Sequence, residues 1–285
     1  MSTVAISASD VNKLRQQTGA GMMDCRKALT ETSGDFEAAV DWLRKKGQKV
    51  AANRQDREAK EGVVVARASE AGNYGIVVTL SAETDFVSKN ADFIDFANAV
   101  AATALNNQPA DVDALKALKL EGSTVTVGEK LDEVVAKIGE KIDITRYEQV
   151  RAEQVIAYIH GNYRLGVLVG LNQGASEGST AAGKDIAMQI AAMNPLGLDA
   201  DSIPADVVSR ERTIVMDTMK ADPKMEGKPE EMVAKIAEGK LNAFFKENTL
   251  MAQAFVKDNG KSVADYIKSV HSDLKVTEFK RVALG

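Results

Sequence analysis

Apolar residues recur at helical spacing in three short blocks within residues 1–50, and each block carries its own start and stop signals. Val11 and Leu14 mark the first, which Ser9 or Asp10 can cap and Gly19 can end. Ala28 and Leu29 are the inward positions of the second, with Asp24 as its cap and Gly34 beyond it. Phe36, Ala39, Val40 and Leu43, with Trp42 beside them, space a third helix between Asp35 as cap and Gly47 as terminator. Helices this short must pack on one another. From Lys45 to Glu61 the chain mixes charges of both signs with few apolar residues, the composition of a solvated linker or an exposed helix.

The period then changes. Gly62 to Arg67 and Tyr74 to Ala82 are β-branched runs on either side of Gly72-Asn73, which predicts a hairpin, and a helix opens near Asn90 with Phe93, Phe96, Val100 and Ala101 on one face. The same phrase is repeated later: Gly161-Asn162-Tyr163 leads into Leu165–Val169, and an apolar helix follows from Ile186 to Met193. Two copies are too few for a solenoid, so the expectation is a pair of related α+β subdomains. Between Pro204 and Phe245, Val207, Val208, Ile214, Val215 and Met219 space one long helix, and Met232, Val233, Ile236, Leu241 and Phe244 another. Pro223, Gly227 and Pro229 lie between them, which predicts an antiparallel helical hairpin of coiled-coil type. A strand near Phe255 and Val256, a helix over Val263–Val270 and a strand over Lys275–Ala283 close the chain. The predicted class is α+β. The predicted division is 1–50 (three helices), 51–61 (linker), 62–150 and 151–203 (the duplicated core), 204–248 (hairpin) and 249–285 (return to the second subdomain).

Composition narrows the function. With 285 residues and 45% apolar content the chain can bury a real core. Cys25 is the only cysteine and His160 and His271 the only histidines, so neither an internal disulfide nor a zinc site of Cys and His is expected, and a reducing, cytoplasmic compartment fits. The opening residues show no secretory pattern, and no apolar run approaches the ~18 residues of a membrane span. A net charge of -5 and 5% aromatic residues argue against a general nucleic-acid binder, which needs clustered cations and stacking platforms. A protein partner is the better expectation.

Two motifs stand out. The first is Leu14-Arg15 followed by Thr18-Gly19-Ala20-Gly21-Met22-Met23-Asp24-Cys25-Arg26-Lys27-Ala28-Leu29, and the second is Thr84-Asp85-Phe86-Val87. Both resemble signatures of the bacterial elongation factor Ts family, and the order of parts is similar over nearly the whole chain. Some members continue with a further helical module where this chain stops at Gly285. The resemblance implies a non-enzymatic guanine nucleotide exchange factor without a cofactor, whose partner is elongation factor Tu, with the hairpin available for dimerisation or for the partner. It implies that Thr84, Asp85, Phe86 and Val87 dislodge magnesium from that GTPase. It also assigns contacts to Met22, Met23, Ile138, Gly139, His160 and Val256.

Each of these residues also has a plain structural reading. Phe86, at a strand-to-helix corner, can be a hydrophobic staple on its own helix; Met22 and Met23 can be core; Gly139 can be a helix stop and His160 a satisfied turn residue. Rival functions have thin support. Gly174-Ala175-Ser176-Glu177-Gly178 matches the nucleophile-elbow string of serine hydrolases, but the Gly/Ser/Thr/Ala-rich stretch from Asn172 to about Gly183 reads as a loop, whereas an elbow is a tight turn. Gly19-Ala20-Gly21 lacks the third glycine and the preceding strand of a dinucleotide fingerprint, and no phosphate-binding P-loop string is present. The three amino-terminal helices look similar to ubiquitin-associated (UBA-like) modules, which keeps an adaptor role open.

Overall fold

The computed structural model describes residues 5–225 and 228–285, so Gly227 of the expected turn lies outside the described residues. Helices α1 (Ala8–Thr18), α2 (Met22–Glu31) and α3 (Phe36–Ala52) close around Val11, Leu14, Cys25, Ala28, Leu29, Ala39 and Leu43. Their ends correct three expectations. The cap of α1 is Ser7, whose hydroxyl accepts from the Asp10 N–H, rather than Ser9 or Asp10. Helix α2 opens at Gly21 without a side-chain cap, because the Asp24 carboxylate is taken by Lys46 of α3.

Gly47 does not end α3. Burial overrides its helix-breaking tendency: a Cβ there would sit 3.0 Å from the Asp132 carbonyl oxygen and 3.3 Å from the Ala136 Cβ, so the missing side chain lets α3 close on a neighbouring helix. The supposed linker is correspondingly ordered at its start. Helix α3 carries Val50 and Ala51 onto the next core before the chain turns at Asn53.

Strands β1 (Glu61–Ala68) and β2 (Tyr74–Ala82), helices α4 (Asp85–Ser88), α5 (Ala91–Asn107), α6 (Val112–Ala117) and α7 (Val127–Ile138), and strand β3 (Ile142–Arg151) form the first unit. Its sheet is antiparallel in the order β1-β2-β3, and α7 is the helix that α3 packs against. The second unit repeats the plan with β4 (Gln154–His160), β5 (Leu165–Leu171) and α8 (Glu177–Met193), and its sheet is completed only by the last strand. Between them come α9 (Ala205–Ala221), α10 (Glu230–Asn248), β6 (Ala254–Phe255), β7 (Asp258–Ser262) and α11 (Val263–Val270), and β8 (Val276–Ala283) then pairs with β5 to give the order β4-β5-β8.

Strand alternation explains how the units assemble. Val63 and Val65 face α5 while Val64, Ala66 and Val77 face the other sheet; Val167 and Val169 face α8 while Leu168 meets the first sheet. The result is helices, sheet, sheet, helices, and both central strands are buried along their whole length. Close contact of the sheets needs glycine at matching places. A Cβ on Gly75 would lie 2.6 Å from Val155 Cγ1, and one on Gly166 would lie 2.8 Å from Val64 Cγ1. Each hairpin turn also accepts a hydrogen bond from a strand of the other unit: the Val155 N–H of β4 donates to the Gly72 carbonyl (2.6 Å), and the Val64 N–H of β1 donates to the Tyr163 carbonyl (2.8 Å).

Helices α9 and α10 pack as a pair around Val215, Met219 and Ala237, and their base is stitched to the body where the Leu196 N–H donates to Asn248 and the Leu250 N–H to Gly197. Two expected hairpin-core residues face solvent instead: Ile214 and Met232 are about half exposed, because a two-helix pair is too thin to cover a stripe as wide as the sequence supplies. Helix α8 begins nine residues before the expected Ile186. Ser176 caps it with a reciprocal Ser176–Ser179 box, which turns a Gly/Ser-rich stretch into helix.

Candidate functional site

Strand β2 ends at Ala82 and the chain passes through Glu83 and Thr84 into the single turn α4. Alternation splits the motif. Val87 packs on the first core and Ser88 is buried, which leaves Phe86 on the outer side with 86% of its surface exposed. The staple reading fails, since a staple would cover the ring. Leaving a phenylalanine in water forgoes roughly 2–3 kcal/mol of burial, so the fold gains little from the ring where it stands. Asp85 lies beside it, and the Lys89 ammonium (2.6 Å) holds its carboxyl below the usual carboxylate range.

The corner is held from outside. Thr84 makes no side-chain cap for α4; its N–H donates to Glu140 Oε2 (3.0 Å) and its hydroxyl to Glu140 Oε1 (2.7 Å). Glu83 accepts from Arg54 (3.2 Å), Arg57 (3.0 Å) and the Lys141 N–H. Burial pulls the Glu83 carboxyl up, but the Lys141 amide and the Arg57 and Arg54 guanidinium groups outweigh it and keep the group below its ordinary value. The Lys141 ammonium in turn donates to the carbonyls of Gln55 (2.6 Å) and Arg57 (2.9 Å).

This network brings separate segments to one end of the molecule. Gly139 ends α7 in the left-handed region at φ 79°, where open space surrounds the position of a Cβ, so it is the turn rather than crowding that suits glycine. That turn aims Glu140 at Thr84 and leaves Ile138 exposed next to the corner. Met22 and Met23 are exposed at the start of α2, and the cleft beside them is lined by Gly21, Asp24 and Lys46 on one wall and Ala136 and Lys137 on the other. The core reading of the two methionines does not hold. Arg164, in the turn after β4, pairs with Glu61 (3.6 Å), the register partner of Ala82, so exposed His160 lies toward the same end. Its Nδ1 meets the Tyr158 hydroxyl at 2.9 Å, so the ring is locally satisfied, but as the last residue of β4 rather than in the turn.

Val256 is set by the second unit: its N–H donates to buried Gln189 (2.8 Å) and its side chain is partly exposed. Met193 and Leu196 are exposed apolar residues that the sequence reading did not single out. Their signal was available, since Met193 falls on the last turn before Asn194 and Leu196 stands between Pro195 and Gly197. Ser176 has the geometry of a cap, its hydroxyl donating to Ser179 Oγ at 3.0 Å and accepting the Ser179 N–H at 3.1 Å, so a helix start rather than a loop takes the place of an elbow. Among the described residues no group of three or more His, Cys, Asp or Glu is placed to hold a metal ion, and no helix is long and apolar enough to cross a membrane.

A profile described as Elongation factor TS matches residues 83–285, starting at the corner itself. The chain is 47% identical over 282 residues to elongation factor Ts of Amoebophilus asiaticus, covering 99% of this chain and 100% of that protein. The chain belongs to the elongation factor Ts family. Other members resemble it along their length as well: that of Cytophaga hutchinsonii is 48% identical over 98% of this chain and 99% of its own, and that of Xanthobacter autotrophicus 45% identical over 99% and 92%. For this elongation factor Ts family chain, then, the exposed corner belongs to a protein of translation elongation.

Proposed function

We propose that the chain is a guanine nucleotide exchange factor that binds elongation factor Tu in its GDP form and promotes GDP release by disturbing the magnesium and phosphate site. The observation that carries this reading is the 86% exposed Phe86 ring on a braced corner, beside an ionised Asp85. A ring inserted into the GTPase displaces backbone near the metal, and a carboxylate competes for the polar groups that held it. Met22, Met23 and Ile138 offer further exposed apolar side chains in the first half of the chain, Gly139 shapes the turn beside Ile138, and His160 and Val256 offer further contacts from the second unit. No substrate is transformed by the factor itself. If factor and GDP weaken each other's binding, the coupling is reciprocal, and each tenfold corresponds to about 1.4 kcal/mol. GTP then fills the vacated site and expels the factor by mass action.

Stopped-flow release of a fluorescent GDP from elongation factor Tu tests the reading. Phe86→Ala and Asp85→Ala are expected to slow release by about tenfold or more, on the scale of an interface hot spot. Thermal midpoints should stay within a few degrees of the parent, because neither side chain is part of the core. Release at parental rates in both variants discards the mechanism.

A further inference from the structure

We propose that Glu140 is a positioning residue that preorganises the Phe86 corner before any partner arrives, with Glu83 bracing it from behind. The proposal rests on the exchange reading above and adds how the wedge is kept ready. A helix of one turn cannot hold itself. It has too few internal hydrogen bonds to offset the entropic cost of ordering its backbone. The residue that would ordinarily cap α4, Thr84, makes no side-chain bond to the turn. Its N–H and hydroxyl instead both go to the Glu140 carboxylate, at 3.0 and 2.7 Å, from a segment 56 positions away.

The direction of these bonds matters. Thr84 offers two donors, and a carboxylate is the side chain that can accept both at once through two oxygens. An amide in its place could accept through one oxygen only, with its NH₂ turned toward a donor. Glu83 adds a second anchor one residue earlier, by holding the Lys141 N–H next to Glu140 and two arginines from the segment after α3. Two adjacent positions at β2's exit thus fix the backbone, Glu83 as acceptor and Thr84 as donor. What remains free is the ring. A wedge ordered in advance pays its entropy at folding rather than at docking, so more of the contact is available for displacing the partner's nucleotide contacts.

Glu140→Ala, Glu140→Gln and Thr84→Val, each alone, and Glu140→Ala combined with Phe86→Ala, provide the test in the full-length chain. Hydrogen exchange by mass spectrometry on the free protein reads the corner directly. Peptides over 82–90 should lose protection about tenfold or more in Glu140→Ala and less in Glu140→Gln, while peptides from α5 and β5 keep theirs. Saturation curves of GDP release against factor concentration should show a maximal rate down about tenfold with a half-saturating concentration within twofold of the parent. A general loss of stability would not separate the two parameters in this way. If Glu140 acts through the ring, its substitution adds nothing once Phe86 is gone.

Retained protection over 82–90 overturns the proposal, and so does an undiminished maximal rate or an additive loss in the double variant. Should Phe86→Ala alone release GDP at the parental rate, the exchange reading itself falls. That outcome is recognisable because protection over 82–90 is measured without any partner.

Discussion

At the level of single residues, the fate of an apolar side chain in this protein depends on which side of a short element it occupies. Val87 and Phe86 are neighbours, yet one joins the first core and the other stands in solvent. Serines divide in the same way. Ser176 matches a nucleophile string but spends its hydroxyl on a helix start, so Ser176→Ala should lower stability by about 1 kcal/mol, the usual worth of a cap, and leave GDP release unchanged. Urea unfolding followed by circular dichroism measures the first and stopped-flow release the second; stoichiometric labelling of Ser176 by a fluorophosphonate would restore the hydrolase reading. The cap of α2 is not legible locally: Asp24 can bond its own backbone or a distant cation, and only the fold brings Lys46 within reach.

Among elements, packing decided what propensity left open. Gly47 reads as a terminator in isolation, but α3 runs on to Ala52 because α7 approaches where the side chain is missing. The Gly/Ser-rich start of α8 behaves likewise, with Gly183 seated against Ile156 of the neighbouring strand. The α9–α10 pair differs, since it keeps a small core of its own and exposes Ile214 and Met232. Replacing 204–248 by a short Gly/Ser linker should therefore leave the two-sheet body folded, with a far-ultraviolet spectrum reduced by the lost helices alone. If this appendage serves self-association or the partner, light scattering of the complex with elongation factor Tu will show a lower mass or weaker assembly. Unchanged mass together with unchanged exchange would leave the pair without either role.

For the molecule as a whole, the informative feature is the Glu83–Glu140–Lys141 junction, where the segment after α3, the β2 corner and the entrance to β3 meet. Glu83 has its carboxyl held below the ordinary value of 4.5, so the folded state favours the ionised form. The sign follows from linkage: this stabilisation is fully present above 4.5 and is lost as the pH falls through the lower folded value. Thermal midpoints of the parent should thus decline more steeply below about pH 4.5 than those of Glu83→Gln, with both curves running parallel near pH 7. Parallel curves across the whole acid range would mean that the carboxylate contributes nothing measurable. The same junction explains why residues 54–57 are more than a solvated linker. Their charges looked unpaired in sequence because their partner, Glu83, is separated by 29 positions from Arg54.

The chain alone determined its periodicities, and with them the α+β class, the paired strand-strand-helix phrases, the long helical pair and the two motifs that point to the elongation factor Ts family. These are local properties, written by spacing and by glycine, proline and capping residues. The strands Ile142–Arg151 and Gln154–His160 were less legible, because each is an edge strand of uneven burial and the pairing of β3 with β2 is broken by a register shift between Thr79 and Leu80. Only the tertiary structure decided that the two sheets stack through Gly75 and Gly166, that Ile138 and Gly139 come to rest beside Thr84–Val87, and that Phe86 is bare. Exposure and long-range hydrogen bonding depend on which surfaces meet, and that is a property of the assembled core rather than of any one stretch of sequence.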